Sequence, residues 1–122
     1  MIMLLNQEPG YEKVQNLINE AQQDGREVLM NAINVGETYY IVYRERGEAV
    51  AGQFLTLLQS TRITILVPTF EDILAAAKIK AEYPISYADA FAVRTAIKED
   101  IPVVTGDPEF QKVEGIVTVD WV

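Results

Sequence analysis

The chain has 122 residues, a length that suits one domain, and 49% of them are hydrophobic, enough for a self-sufficient core. It has no cysteine and no histidine, which excludes disulfides, thiolate or Ser-His catalysis and the usual zinc sites, so any chemistry must use carboxylates, hydroxyls, Lys or Arg. The formal net charge of −8 argues against broad electrostatic binding to nucleic acid, but it suits a basic protein partner.

The sequence offers no candidate membrane segment. No apolar stretch approaches the roughly 18 residues that a spanning helix needs. The apolar start at Met1–Leu5 lacks the basic lead and the long apolar core of a signal peptide. We therefore expect a single cytoplasmic domain over residues 1–122.

The hydrophobic pattern divides the chain into amphipathic segments and short apolar runs, bounded by Gly, Pro and Asp. The predicted helices, in chain order, are Tyr11–Gln23, Asn34–Arg46, Ala49–Gln59, Thr69–Tyr83 and Ser86–Glu99. The predicted strands are Val28–Met30, Arg62–Val67, Val103–Val104 and Val117–Val119. Short strands that alternate with helices predict an α/β three-layer sandwich with a mainly parallel sheet.

Three predicted helix starts carry an acid. In a right-handed parallel layout, helices that follow strands begin at the carboxyl edge of the sheet, so these acids can converge on one cleft. The acids and their capping residues are Glu37 after Asn34, Asp89 after Ser86, and Asp107, which caps the helix start at Pro108 itself.

Helix capping alone explains each acid taken singly, because N/S-x-x-E/D is a capping box and Asp before Pro is an ordinary helix start. The segment Thr69–Asp72 has the same form, and we assign it no chemistry. Asp89 and Glu37 differ from an acid that only caps a helix, because each begins an apolar stripe on its own helix. A carboxylate on such a face needs a partner or a metal. The stripes are Ala92, Val93 and Ala96 for Asp89, and Tyr40 and Ile41 for Glu37. Clustered carboxylates without His or Cys favour Mg²⁺ or Mn²⁺.

Three segments in register closely resemble the PIN domain, specifically the VapC-type toxins. They are N-V-G-E-T-Y-Y from Asn34, I-S-Y-A-D-A-F-A-V-R-T-A from Ile85 and P-V-V-T-G-D-P-E-F from Pro102. The opening L-L-N-Q-E-P-G-Y-E-K-V also looks like the first helices of that family.

The resemblance implies a metal-dependent endoribonuclease on a five-stranded parallel sheet, with acids around one or two Mg²⁺ or Mn²⁺ ions. Glu37, Asp89 and Asp107 match three of the catalytic and metal-binding positions. Thr105 matches the hydroxyl residue that precedes the last acid and helps orient the site, and Ser86 supports the site as a helix cap.

The chain departs from the family at its start. The family begins with a strand that ends in D-x-S or D-x-T and supplies the first acid. Here Met1–Leu5 matches the helix after that strand, and Asn6–Glu8 fall too late in the chain to supply the first acid. We therefore expect the first central strand and its Asp to be missing, and metal affinity to be lower. The gap would close by direct pairing of Val28–Met30 with Val103–Val104 or by a strand from a partner, which predicts a homodimer or a distorted sheet.

The resemblance also implies an RNA substrate and a cognate antitoxin whose basic tail enters the acidic cleft. Arg44, Arg46 and Arg94 are candidate contacts for the RNA backbone, and solvated surface charge explains them equally well. Two functions stay open: a Mg²⁺-dependent endoribonuclease, or a catalytically impaired PIN-like module that binds an antitoxin, RNA or itself without cleavage. A generic α/β response-type domain is disfavoured, because no pair of acids ends a first strand.

Overall fold

The protein folds around one parallel β-sheet. The structure, a computed structural model, describes residues 2–4, 16, 19–20, 23–25, 27–61 and 63–121. The strands are β1 Ile2–Leu4, β2 Val28–Asn31, β3 Ile63–Leu66, β4 Val103–Thr105 and β5 Val119–Trp121. They form a five-stranded sheet in the order β3-β2-β1-β4-β5, and every neighbouring pair is parallel. The predicted parallel α/β architecture is therefore confirmed.

The centre of the sheet is occupied by β1, so the prediction of a missing central strand is wrong. Met3 lies opposite Leu29 of β2 on one side, and Leu4 lies opposite Val104 of β4 on the other. The strands β2 and β4 consequently do not pair directly, and the sheet needs no partner strand at its centre. A central parallel strand has the form of an unbroken apolar run, and periodicity alone cannot distinguish so short a run from part of a helix.

Helices connect the strands. Those with complete bounds are α1 Ala32–Arg46, α2 Glu48–Ser60, α3 Phe70–Glu82, α4 Tyr87–Glu99 and a 3₁₀ helix at Pro108–Val113. The predicted helix Tyr11–Gln23 falls mostly outside the described residues, although Asn16, Asn19, Glu20 and Gln23 are helical. The other predicted elements are confirmed, with ends displaced by no more than two residues. No helix in the described ranges is long and apolar enough to cross a membrane.

Two apolar clusters cover opposite faces of the sheet. Val103 packs in the cluster that contains Phe91 and Phe110, whereas the next residue, Val104, packs in the cluster that contains Phe54. Successive side chains of a strand point to opposite faces, so helices cover both faces and the fold has three layers. All four residues of β2 are buried, as expected for an internal strand of such a sheet.

Candidate metal site

The turn after β4 presents two carboxylates. Thr105 is buried at the end of β4, and its Oγ1 accepts a hydrogen bond from Asp107 N at 3.1 Å. Asp107 caps the 3₁₀ helix, and its Oδ1 accepts from Glu109 N at 3.0 Å. Pro108 suits the first helical position because it has no N–H to satisfy and its φ is already close to helical. These local contacts fix Asp107 and Glu109 at the carboxyl end of β4.

Asp89 comes from the first turn of α4. Ser86 caps this helix, and its Oγ accepts from Asp89 N at 3.1 Å, as predicted for this segment. Asp89 is half-buried, and the stripe that follows it, Ala92, Val93 and Ala96, is buried in the core. The packing of this stripe holds the start of α4 against the sheet, beside the turn that carries Asp107.

The three carboxylates converge. Asp89, Asp107 and Glu109 each offer one oxygen, and these oxygens all lie within 4.8 Å of one another. Ligands on opposite sides of a Mg²⁺ ion lie about 4.2 Å apart, because each Mg–O distance is about 2.1 Å. Small side-chain movements would therefore let all three oxygens reach one cation.

The site gathers negative charge, with one exposed ion pair at its edge, where Lys112 Nζ lies 3.8 Å from Glu109 Oε1. Burial, together with the charges of Glu37, Asp107 and Glu109, raises the pKa of Asp89 to about 6, against a hydrogen bond with Ser86 that lowers it. A divalent cation would remove this repulsion, because it stabilises the ionised form of every acid around it.

Of the predicted acids, the structure brings Asp89 and Asp107 together. Glu37 on α1 lies outside this group of three, but it is close enough for its charge to raise the pKa of Asp89. Glu109 was not predicted as a site residue. The sequence feature that could have identified Glu109 is its position two residues after Asp107. The tight start of a 3₁₀ helix places it there beside the N-cap carboxylate.

Asn34 does not cap α1, so the predicted capping box from Asn34 to Glu37 is wrong. Asn31 is the N-cap, and its Oδ1 accepts from Ile33 N at 2.9 Å. The helix starts two residues earlier than predicted because Asn31, the last residue of β2, supplies the cap directly. Asn34 is a buried residue inside the helix, and its Nδ2 donates to Ala88 O at 3.0 Å.

Two of the candidate arginines have partners within the protein. Arg94 Nε lies 3.1 Å from Asp72 Oδ1 in a mostly buried ion pair. Arg44 donates to the Tyr40 hydroxyl at 2.9 Å, and its guanidinium lies 5.1 Å from the centre of the Tyr40 ring. Arg46 is exposed in the last turn of α1. Arg94 is therefore held in an ion pair within the fold.

The predicted absence of an early aspartate is a property of the sequence, in which the first Asp is Asp24. The residues that follow β1 in the chain are Leu5, Asn6 and Gln7, and none of them is an acid. Residues 5–15 lie outside the described part of the chain.

A family model described as the PIN domain matches residues 1–116. No curated protein matches the chain.

Among solved structures, the fold is similar to that of VapC20 from Mycobacterium tuberculosis, a sarcin-ricin loop cleaving toxin, with 18% identity, 98% of each chain covered and a TM-score of 0.75. VapBC2 from Rickettsia felis, bound to a DNA fragment from its promoter, has 16% identity and a TM-score of 0.73, with 99% of this chain and 98% of that chain covered. DNA-bound VapBC from Salmonella typhimurium has 15% identity and a TM-score of 0.71, with 98% and 96% covered. At these identities the likeness is one of fold.

Proposed function

Because the chain belongs to the PIN domain family, we propose that it is a metal-dependent endoribonuclease of the VapC toxin type that hydrolyses RNA phosphodiester bonds. The observation that carries this proposal is the convergence of Asp89, Asp107 and Glu109 from two separate segments, with one oxygen of each within 4.8 Å of the others. Glu37 adds a fourth carboxylate whose charge reaches Asp89.

The donor set fits Mg²⁺ or Mn²⁺. Both ions take oxygen ligands, and carboxylates with water complete their coordination shells in most proteins. We propose Asp89, Asp107 and Glu109 as the inner ligands, and Glu37 as an acid that binds directly or through water. The raised pKa of Asp89 supports this assignment, because burial and the neighbouring acids disfavour its charged form and a bound cation would stabilise that form.

Residues of the chain itself would position the groups that react. A bound cation would polarise the scissile phosphate and lower the pKa of a water molecule. Asp107, held by its hydrogen bonds to Thr105 and Glu109 N, would orient the attacking water for in-line attack and accept its proton. Ser86 and Thr105 would keep the two acid-bearing segments in place as supporting residues.

The alternative is an impaired PIN-like module that binds an antitoxin, RNA or itself without cleavage. The absence of an acid from Leu5–Gln7, directly after the central strand, favours it. With one fewer anionic ligand, a cation would bind more weakly and need higher metal concentrations.

Cleavage of single-stranded RNA by the purified protein, in Mg²⁺, Mn²⁺ or EDTA, distinguishes the two functions. We expect metal-dependent cleavage that disappears in Asp89→Asn and persists in Glu99→Gln, a matched change of an exposed acid at the far end of the same helix. Equal cleavage by wild type and Asp89→Asn would indicate a contaminating nuclease. RNA binding without cleavage under every metal condition would establish the alternative.

The proposed partners are RNA, a cognate antitoxin with a basic tail, and a second copy of the chain. The net charge of −8 and the acid cluster support a basic tail, because guanidinium groups pair well with clustered carboxylates. Two of the structurally similar proteins are VapBC complexes. Exposed apolar side chains of Val67, Phe70 and Leu74 support self-association. A cytoplasmic location stays a prediction.

A further inference from the structure

Asn34 is a buried polar residue with only half of its amide satisfied. Its side chain is enclosed, with the residue 2% exposed. Nδ2 donates to Ala88 O at 3.0 Å, whereas Oδ1 has no hydrogen-bond partner in the part of the chain that the structure describes. An unpaired buried acceptor destabilises a fold, so an apolar side chain of similar volume would fill this space more favourably. What an amide provides at this position, and an apolar side chain would not, is the hydrogen bond that Nδ2 donates.

The bond made by Nδ2 joins the two helices that carry acids of the site. Asn34 lies three residues before Glu37, and residues at this spacing share a helix face. Ala88 is the residue before Asp89 in the first turn of α4. The hydrogen bond therefore connects the turn of α1 that presents Glu37 to the turn of α4 that presents Asp89.

A second buried bond fixes α4 farther along. Asn31 Nδ2 donates to Thr95 Oγ1 at 3.0 Å, and Thr95 is two helical turns beyond Ala88. This second contact holds the body of α4 against the end of β2. The bond from Asn34 is the one that acts at the acid-bearing turn.

We propose that Asn34 is a positioning residue of the acid site, which holds Glu37 opposite Asp89 by tying α1 to the first turn of α4. It touches neither substrate nor reacting atoms, and it acts through the two carboxylates. The part of the inference that concerns cation binding rests on the proposed function, whereas the tie between the helices does not.

The first test needs no metal. In EDTA at pH 8, the melting temperatures of Glu37→Gln, Asp89→Asn and the double variant measure the repulsion between the two carboxylates. In the wild-type background, we expect the melting-temperature shift of the double variant to differ from the sum of the two single-variant shifts by about 2–4 °C. In an Asn34→Leu background, which keeps the number and branching of the side-chain heavy atoms and removes the tie, the shifts should become additive.

The second test is the dissociation constant for Mn²⁺, measured by calorimetry. Residues that orient metal ligands typically change metal affinity by 10–100-fold, so we expect Asn34→Leu to weaken Mn²⁺ binding by roughly 10-fold or more. Its metal-free melting temperature should change little, because the unpaired Oδ1 leaves together with the bond. Thr95→Val is the matched control: it removes the other buried tie and should lower the melting temperature without changing Mn²⁺ affinity beyond about twofold.

The outcomes separate the inference from the proposed function. Retained coupling between Glu37 and Asp89 in Asn34→Leu overturns the positioning role, whatever happens to Mn²⁺. A lower melting temperature with unchanged coupling and Mn²⁺ affinity means that Asn34 is merely structural. Lost coupling in a protein that binds no Mn²⁺ even as wild type supports the positioning role and refutes the metal site. If Asn34→Leu does not fold, Asn34→Thr, whose hydroxyl is too short to reach Ala88 O, replaces it with the same expected results.

Discussion

Asp72 and Asp89 occupy the same position in consecutive helices, three residues after a capping hydroxyl, and their acidities shift in opposite directions. Asp72 accepts from Thr69 N at 3.0 Å and lies 3.1 Å from both Arg94 Nε and Lys98 Nζ. The backbone hydrogen bond from Thr69, together with these cations, holds the pKa of Asp72 far below its usual range. Burial and neighbouring acids raise the pKa of Asp89 to about 6. The first carboxylate therefore stabilises the fold, and the second destabilises it unless a cation binds.

We expect Asp89→Asn to stabilise the metal-free protein at pH 8 by about 1–2 kcal/mol, once solvent screening of this half-buried group is allowed for. The raised pKa means that the native state binds more protons than the unfolded state between pH 3.8 and about 6. Wild-type stability should therefore fall as the pH rises through this range, and the gain from the substitution should be absent below it. Urea unfolding in EDTA at pH 3.5 and pH 8 measures the effect, and a loss of stability at pH 8 would contradict it.

We expect the opposite for Asp72→Asn, with a loss of about 2 kcal/mol at pH 7, because the change removes two ion pairs and weakens a helix cap. The lowered pKa means that this carboxylate contributes stability above its unfolded pKa of 3.8, and that the contribution is lost as the pH falls through its folded pKa. Urea unfolding should show the difference between variant and wild type shrinking below about pH 4. A difference that does not change with pH would show that Asp72 acts mainly as a neutral hydrogen-bond acceptor.

At the scale of elements, the junction of α1 and α2 depends on one glycine. Gly47 ends α1 and precedes α2 with φ of 88°, in the left-handed region that other residues adopt only with strain. Gly52, inside α2, has no positive φ, and a Cβ placed there would meet nothing within 4 Å. Two glycines five residues apart thus have opposite structural requirements.

Gly52→Ala should raise the free energy of unfolding by about 0.5–1 kcal/mol, because alanine favours the helix and reduces the freedom of the unfolded chain. Gly47→Ala should lower it by about 1 kcal/mol or more, since the backbone at this junction must keep its positive φ. Chemical denaturation of the two variants forms a matched pair. Equal effects of the same sign would mean that the junction can rearrange.

For the whole molecule, cation binding and stability should be linked. We expect 5 mM Mn²⁺ at pH 8 to raise the melting temperature of the wild-type protein, because a ligand that binds only the native state stabilises it. The shift should fade below pH 6, where Asp89 becomes protonated and competes with the metal. Thermal unfolding of wild type and Asp89→Asn, with and without EDTA, measures this linkage, and an equal Mn²⁺ shift in both proteins would contradict the proposed ligands.

Self-association should depend on the start of α3. Val67, Phe70 and Leu74 are 77%, 74% and 55% exposed, which is unusual for side chains of this size. Light scattering after size exclusion should give a mass of twice 13.7 kDa for wild type and 13.7 kDa for Phe70→Ser. Ile97→Ser, at a residue that is 43% exposed on α4, is the control and should stay dimeric. A monomeric wild-type protein would refute the homodimer.

Most of the fold could be predicted from local signals. Gly47, the hydroxyl caps Thr69 and Ser86, and the Asp107-Pro108 start mark element boundaries by backbone chemistry that acts within a few residues. The role of Ile2–Leu4 could not be predicted, because three apolar residues have no period and their position in the sheet depends on pairing with β2 and β4, which are distant in sequence. The same limit applies to Glu109, whose relevance depends on Asp89, which lies 20 residues earlier in the chain on another helix.

The residue types present limit the chemistry that this protein can use to oxygen ligands in place of His or Cys, with an excess of negative charge and acids at helix starts. The role of each acid, in contrast, depends on how the chain folds. Thr69-Phe70-Glu71-Asp72 and Ser86-Tyr87-Ala88-Asp89 follow one local pattern, yet packing places Asp72 against Arg94 and Lys98 and places Asp89 near Glu37, Asp107 and Glu109. The reason is physical: capping depends on neighbours within one helical turn, whereas the charge around a carboxylate is set by groups that folding brings from distant parts of the chain.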